Sequence, residues 1–197
     1  MVIAIDGPAA SGKSTTSKLT AERLGYLHVD TGAMYRAMTL KVLEEHIDVN
    51  DEAKICKLAE QTEIRLQQVE SALKIFLDKR DVSDAIRSQK VTKAVSAVSS
   101  IKTVREVMVR EQRRMGEHGG IVLEGRDIGT VVFPNADVKI FMVANVEERA
   151  RRRQKELQKQ NVEIPLQQLI DEIVERDAKD SKREDRKSTR LNSSHRT

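Results

Sequence analysis

The chain has 197 residues, of which 34% are charged and 39% hydrophobic, a balance typical of a water-exposed globular protein with one sizeable core. No apolar run approaches the ~20 residues of a membrane-spanning helix, which excludes a helical membrane protein. The single cysteine excludes an internal disulfide, and the net charge of +4 suits either nucleic acid or small anionic ligands. Because the chain opens directly on a strand pattern, we expect no signal peptide and a cytoplasmic location.

Short β-branched runs alternate with longer helical patterns, which is typical of parallel βαβ units. In the first third of the chain the predicted elements are strands over residues 2–5 and 26–30 and helices over residues 13–24, 33–46 and 51–62. Gly25 is placed to end the first of these helices.

The pattern changes between residues 63 and 82, where apolar residues stand at alternating positions. This is the period of a half-buried hairpin rather than of a helix. We therefore expect an inserted lobe over about residues 62–100, outside the parallel sheet.

Helical spacing resumes after residue 84, and we expect the pair Gly119 and Gly120 to end a helix whose apolar face includes Met108. Buried strands over residues 121–123 and 138–143, an arginine-rich helix from Val146 and a last amphipathic helix around residues 166–174 complete the predicted order. Residues 185–197 carry no apolar periodicity and are interpreted as a disordered or artefactual tail. The predicted class is α/β, a parallel-sheet core with helices on both faces.

Residues 7–14 read GPAASGKS and match the phosphate-binding loop G-x-x-x-x-G-K-[ST], or P-loop, with a predicted strand before it and a helix after it. Glycines let the backbone wrap around phosphate oxygens, and the loop N–H groups with the helix N-terminus supply partial positive charge. Lys13 is predicted to reach the β- and γ-phosphates of ATP, and Ser14 to bind Mg²⁺. The predicted ATP-binding residues are Gly7, Pro8, Ala9, Ala10, Ser11, Gly12, Lys13, Ser14 and Thr15.

A P-loop alone does not identify the phosphate acceptor, since GTPases, motor ATPases and kinases all carry one. The chain lacks the Asn-Lys-x-Asp guanine motif of GTPases and is short for a motor ATPase. A small-molecule kinase is favoured.

Residues 30–36, DTGAMYR, follow the second predicted strand at its carboxyl end, where open α/β sheets bind ligands. We expect Thr31 to cap the next helix and Arg36 to clamp an anionic group. A capped helix with an exposed arginine is the plainer interpretation.

Residues 124–134, EGRDIGTVVFP, repeat this arrangement after another predicted strand. Arg126 and Asp127 would place a phosphate clamp beside a hydrogen-bond acceptor. A surface salt bridge between them is the alternative.

Together with residues 175–183, these segments resemble bacterial-type cytidylate kinases over residues 1–184. The resemblance implies transfer of the ATP γ-phosphoryl group to CMP or dCMP with Mg²⁺, by one domain with a nucleotide-monophosphate-binding insertion and a helical lid over about residues 147–183. It implies catalytic roles for Lys13, Arg126 and Arg183. The implied acceptor-binding residues are Thr31, Arg36 and Arg126 for the phosphate, Ser96, Arg105 and Asp127 for the base, and Arg176, Asp180 and Arg183 on the lid side.

The family's lid helix supplies arginines to the transferred phosphate, and Arg149, Arg151, Arg152 and Arg153 are the candidates here, with Arg149 or Arg153 favoured. The family also continues into a further strand and a closing helix, which residues 185–197 do not match. The resemblance therefore predicts that this C-terminal strand and helix are missing, so that a sheet edge is left uncovered.

Two alternatives stay open. The first is another P-loop nucleoside monophosphate kinase acting on UMP or AMP. The second, from a different class, is an ATP-responsive nucleic-acid-binding protein, which rests only on the pI near 9.2 and the arginine-rich helix. Because basic and acidic residues are interleaved, we expect no nucleic-acid or membrane partner, and we expect a monomer.

Overall fold

The computed structural model describes residues 1–69, 72–159 and 162–181. In chain order the elements are β1 (Val2–Asp6), α1 (Lys13–Leu24), β2 (Leu27–Asp30), α2 (Thr31–Glu44), α3 (Glu52–Gln61), β3 (Ile64–Val69), β4 (Ala72–Leu77), β5 (Arg80–Asp81), a 3₁₀ turn (Ala85–Arg87), α4 (Gln89–Val98), α5 (Lys102–Met115), β6 (Ile121–Gly125), a π turn (Ile128–Val132), β7 (Val138–Phe141), α6 (Val146–Gln158) and α7 (Leu166–Ser181).

The central sheet has four parallel strands in the order β2-β6-β1-β7. Short apolar runs form its two inner strands because both faces are covered: Ala4 and Leu123 pack on one face, Ile5 and Val122 on the other, all fully buried. The predicted α/β class is confirmed. Parallel pairing brings the carboxyl ends of β1, β2 and β6 to one edge of the sheet, and the sequence motifs begin there.

The second sheet is antiparallel, β3-β4-β5, and lies in the predicted insertion. Its alternating apolar residues Ile64, Ile75 and Leu77 are buried in the same cluster as Met34 and Met38 of α2. The predicted period of two is confirmed, and the hairpin gains a short third strand.

Two sequence predictions about boundaries were wrong. Helix α5 ends at Met115 with Gly116 as its C-cap, before Gly119 and Gly120, which both have positive φ and form the turn into β6. Gly116 is needed at the cap because a Cβ there would lie 2.4 Å from the ring of Phe133.

The last predicted buried strand is the shorter and exposed β7. Ile140 and Phe141 are each 42% exposed, and within the described residues β7 pairs with β1 alone. Helices α6 and α7 pack against each other through Ala150, Leu157, Leu169 and Ile173 and form a helical pair.

Among the described residues, no helix combines the length and the apolar character that crossing a bilayer requires. The predicted tail, residues 185–197, lies outside the described residues.

Candidate functional site

The predicted phosphate loop connects β1 to α1 and has the backbone that its glycines allow. Gly7 and Gly12 have φ values of +151° and +98°, and Ala10 is also at positive φ. A Cβ on Gly7 would lie 2.3 Å from the carbonyl oxygen of Met142, so no other residue fits there. Helix α1 begins at Lys13 with its N-terminus at the loop, the arrangement that binds anions.

Lys13 is buried at the mouth of this loop, and its Nζ donates to the carbonyl oxygen of Pro8 at 2.8 Å. Burial, and after it the positive charge of Arg126, lowers the pKa of Lys13 to about 8. The carboxylates of Glu124, Asp30 and Asp6 oppose this shift. Lys13 is therefore a cation at neutral pH. A phosphate group bound beside it would offset the free-energy cost of burying that charge.

Glu124, at the end of β6, joins the phosphate loop to the acceptor motif. Its Oε2 accepts from the Ser14 hydroxyl at 2.7 Å, and its Oε1 lies 3.0 Å from His28 Nε2. Its backbone carbonyl accepts from the Thr31 hydroxyl at 2.7 Å. Sequence reasoning quoted Glu124 only as part of a motif and missed this role. The sequence held one signal for this role: Glu124 is an acidic residue near the end of a predicted strand, and that strand could lie next to the P-loop strand.

The prediction that Thr31 caps α2 was wrong. The cap is Asp30, whose carboxylate accepts from the Ala33 N–H, while the Thr31 side chain is taken by Glu124. Arg36 lies one turn along α2 and donates to Asp30 at 2.7 Å. The arginine is thus held by a carboxylate at the sheet edge.

Asp6 fixes the loop that carries Arg126 and Asp127. Its two carboxylate oxygens accept the backbone N–H groups of Ile128 and Gly129, each at 2.8 Å. Because Asp6 immediately precedes Gly7, these bonds tie the second motif to the phosphate loop. Sequence reasoning also missed this contact.

Arg126 and Asp127 each have a different ion-pair partner. Arg126 Nη1 lies 3.0 Å from Asp180 Oδ2 on α7. Asp127 pairs with Arg105 of α5, and both side chains are buried. Three predicted acceptor-site residues beyond the motif's own pair are thereby joined to it: Asp180, Arg105 and, through Glu124, Thr31.

The four arginines of α6 separate into two groups. Arg149 is 2% exposed, donates to the Ala9 carbonyl at 3.3 Å and pairs with Asp177 of α7. Arg152 pairs with Glu148, and its Nη1 lies 3.5 Å from where a Cβ on Gly12 would stand.

Arg153 instead pairs with Glu156 on its own helix, and Arg151 is exposed. Arg149 and Arg152 are therefore the two that approach the phosphate loop, although the sequence had favoured Arg149 or Arg153.

Other predicted residues lie on the surrounding helices. Ser96 is half-buried on α4 and Arg176 half-buried on α7. Arg183 lies outside the described residues. A cleft of about 280 Å³ opens between the phosphate loop and the helical pair, lined by Pro8, Arg126, Phe141, Val143, Ala144, Arg149 and Asp177.

Comparison with known proteins gives one consistent result. The family model described as "Cytidylate kinase" matches residues 3–192. The cytidylate kinase of Bacillus subtilis is 49% identical over 182 residues, which cover 92% of this chain and 81% of that protein. Those of Pediococcus pentosaceus and Bacillus pumilus are 51% and 50% identical, again over 92% of this chain and over 80% and 81% of their own lengths. With a family model that matches most of the chain and relatives of this similarity, the chain belongs to the cytidylate kinase family.

Proposed function

We propose that this protein transfers the γ-phosphoryl group of ATP to CMP or dCMP, giving CDP or dCDP and ADP. One observation carries the proposal. The phosphate loop and the DTGAMYR and EGRD motifs meet at one sheet edge, joined by Glu124, in a chain about half identical to proteins named cytidylate kinase.

On the donor side, the amides of residues 7–15 and the N-terminus of α1 would bind the phosphates of ATP. Lys13 supplies an ammonium that would exchange the Pro8 carbonyl for phosphate oxygens. The lowered pKa shows that burying the charge of Lys13 costs free energy. A bound phosphate would attract the ammonium and offset that cost, and both effects would favour binding.

The residues fit a magnesium ion carried by the nucleotide. Ser14 and Glu124 hold two oxygens 2.7 Å apart at the foot of the loop. Hydroxyl and carboxylate oxygens are ligands that Mg²⁺ accepts beside waters and phosphate oxygens. When bound, the ion would neutralise charge between the β- and γ-phosphates.

On the acceptor side, we assign the phosphate to Thr31, Arg36 and Arg126, and the base to Ser96, Arg105 and Asp127. The carboxylate of Asp127, held by Arg105, accepts from the exocyclic amine of cytosine and repels the carbonyl that uracil has there. Arg176, Asp180 and Arg183 would contact ribose and phosphate from α7 and beyond.

The acidic partners of these arginines occupy places that substrate phosphates would take. Arg126 is held by Asp180 and Arg36 by Asp30. Phosphate binding would replace one anion by another at each guanidinium, with little cost for exposing a charge. Catalysis then consists of aligning two anions and neutralising the charge between them with Lys13, Arg126 and Arg183.

The organisation we propose is one kinase domain over residues 1–184, with an insertion at about 62–100 and a lid at about 147–183, acting as a cytoplasmic monomer. The bonds Ser14–Glu124, Thr31–Glu124 and Arg126–Asp180 join distant parts of the chain, which supports the single domain.

The test is ADP release from ATP and Mg²⁺ with CMP, dCMP, UMP and AMP offered separately. We expect the highest turnover with CMP and dCMP, and its loss in Lys13→Ala. Preference for UMP or AMP would establish the other monophosphate kinase, and ATP binding without turnover on any acceptor would refute the proposed reaction.

A further inference from the structure

His28 lies beside the site and has no part in the function described so far. It stands on β2 two residues before Asp30, which pairs in register with Glu124 on β6. Side chains two apart on a strand point to the same face, so the imidazole and the Glu124 carboxylate lie on the face covered by α1. There His28 Nε2 comes within 3.0 Å of Glu124 Oε1.

The three side chains form a chain of hydrogen bonds, His28 to Glu124 to Ser14. An ionised carboxylate only accepts, so the Nε2–H of His28 is the donor in the first bond. The Ser14 hydroxyl donates to the other oxygen of the same carboxylate. With one oxygen held by β2 and the other by α1, the plane of the carboxylate is fixed.

Without His28 the Glu124 carboxylate would keep its bond from Ser14 and lose the one at its other oxygen. One bond fixes the position of one oxygen but leaves the carboxylate plane able to turn about its terminal torsion. Groups that hold a metal-binding carboxylate in place typically change metal affinity or activity by about tenfold or more when removed.

We propose that His28 is a positioning residue, which orients the Glu124 carboxylate toward Ser14 and the divalent cation that arrives with ATP. The inference rests on the proposed function, because it takes Ser14 to lie at the nucleotide's metal. It assigns His28 no contact with substrate and no proton transfer.

A purely structural histidine would affect folding and not the metal. The measurement is therefore the dissociation constant of ATP by calorimetry, in Mg²⁺ and in EDTA without an acceptor, together with a urea melt. The dissociation constant in EDTA divided by that in Mg²⁺ reports how much the metal strengthens ATP binding. His28→Leu removes the donor, His28→Gln keeps an N–H donor, and His118→Leu changes an exposed histidine in the turn after α5.

We expect His28→Leu to reduce this ratio by about tenfold, with the EDTA value unchanged. His28→Gln should restore most of it, and His118→Leu should match the wild type. A ratio near one in the wild type, a ratio in His28→Leu within about twofold of wild type, or a failure of glutamine to restore it would overturn the assignment. None of these readings needs CMP turnover, so failure of the proposed reaction would be recognised separately in the acceptor panel.

Discussion

Lys13 shows how a binding residue is kept at a cost in stability. Its pKa is about 8 in the folded protein against 10.5 for an exposed lysine. Below pH 8 both folded and unfolded chains carry the charge, and the folded one bears the cost of burying it. Between these two pKa values the unfolded chain binds more protons than the folded one. The cost of burying Lys13 therefore falls, and the free energy of unfolding rises, as the pH rises through this range.

Lys13→Met should therefore abolish phosphoryl transfer and yet stabilise the free protein. We expect a gain of about 1–3 kcal/mol at about pH 7, shrinking at about pH 10, where wild-type Lys13 has lost most of its charge. Urea melts of both proteins at the two pH values measure it. Lys18→Met, on the exposed side of α1, is the control, and an equal gain there would show that burial of the charge is not the cause.

Asp6 is expected to act on the acceptor loop rather than on ATP. Asparagine in its place keeps one acceptor oxygen, so one of the buried N–H groups of Ile128 and Gly129 loses its partner, at about 1–3 kcal/mol. We expect Asp6→Asn to lower kcat while the ATP dissociation constant stays near wild type. Asp137→Asn, which alters an exposed carboxylate bonded to the Val2 N–H, should leave both unchanged.

The sequence identified the residues with recognisable motifs but not the residues that hold them. Glu124, Asp6 and His28 matter because β6 lies between β1 and β2, and a single sequence does not state strand order. The cap of α2 was misassigned for the same reason. Asp30 and Thr31 are both good caps, and only the nearby Glu124 carbonyl decides which of them is free to cap.

At the scale of elements, two ion pairs join α7 to the residues around the phosphate loop, in addition to its apolar packing on α6. The Arg149 guanidinium is nearly fully buried and bridges the Ala9 carbonyl to Asp177, while Asp180 holds Arg126. Removing one partner of a buried ion pair leaves the other charge without compensation. Loss of Asp177 should therefore weaken the attachment of α7.

Asp177→Asn should loosen α7. The variant leaves Arg149 without its anionic partner, and we expect a loss of about 1–3 kcal/mol with faster hydrogen exchange in α7 than in the central sheet. Glu175→Gln is the matched control, because it breaks an exposed pair with Lys179 on the same helix and should cost less than about 0.5 kcal/mol. Equal exchange in the two variants would contradict the docking role of Asp177.

Periodicity predicted the elements better than their ends. The alternation in β3 and β4 and the spacing in α5 were interpreted correctly because each has one buried face. The end of α5 was placed too late because the sequence offers two glycine stops, Gly116 and the pair Gly119 and Gly120. The ring of Phe133, seventeen residues from Gly116, requires a glycine at the first of them.

At the scale of the whole molecule, the central sheet has two outer strands, and among the described residues β7 is the more exposed of them. In the described residues β7 has a neighbour on one side only, and its end is apolar, with Val143 75% exposed next to Ile140 and Phe141. A flat apolar edge with unpaired backbone groups is a template for another strand. The sequence-based expectation of a buried strand failed because burial depends on neighbours, which a strand's own residues do not specify.

This edge should make the chain self-associate reversibly at high concentration while the monomer remains the catalytic unit. We expect the weight-average mass in sedimentation velocity to rise between about 1 µM and about 100 µM, and Ile140→Lys to suppress that rise by placing a charge on the edge. Leu24→Lys changes an equally exposed apolar residue at the end of α1 and should not suppress it. Turnover per chain should be the same for the wild type and both variants at the lower concentration. If Leu24→Lys suppressed association as well as Ile140→Lys, general surface hydrophobicity rather than the β7 edge would be responsible.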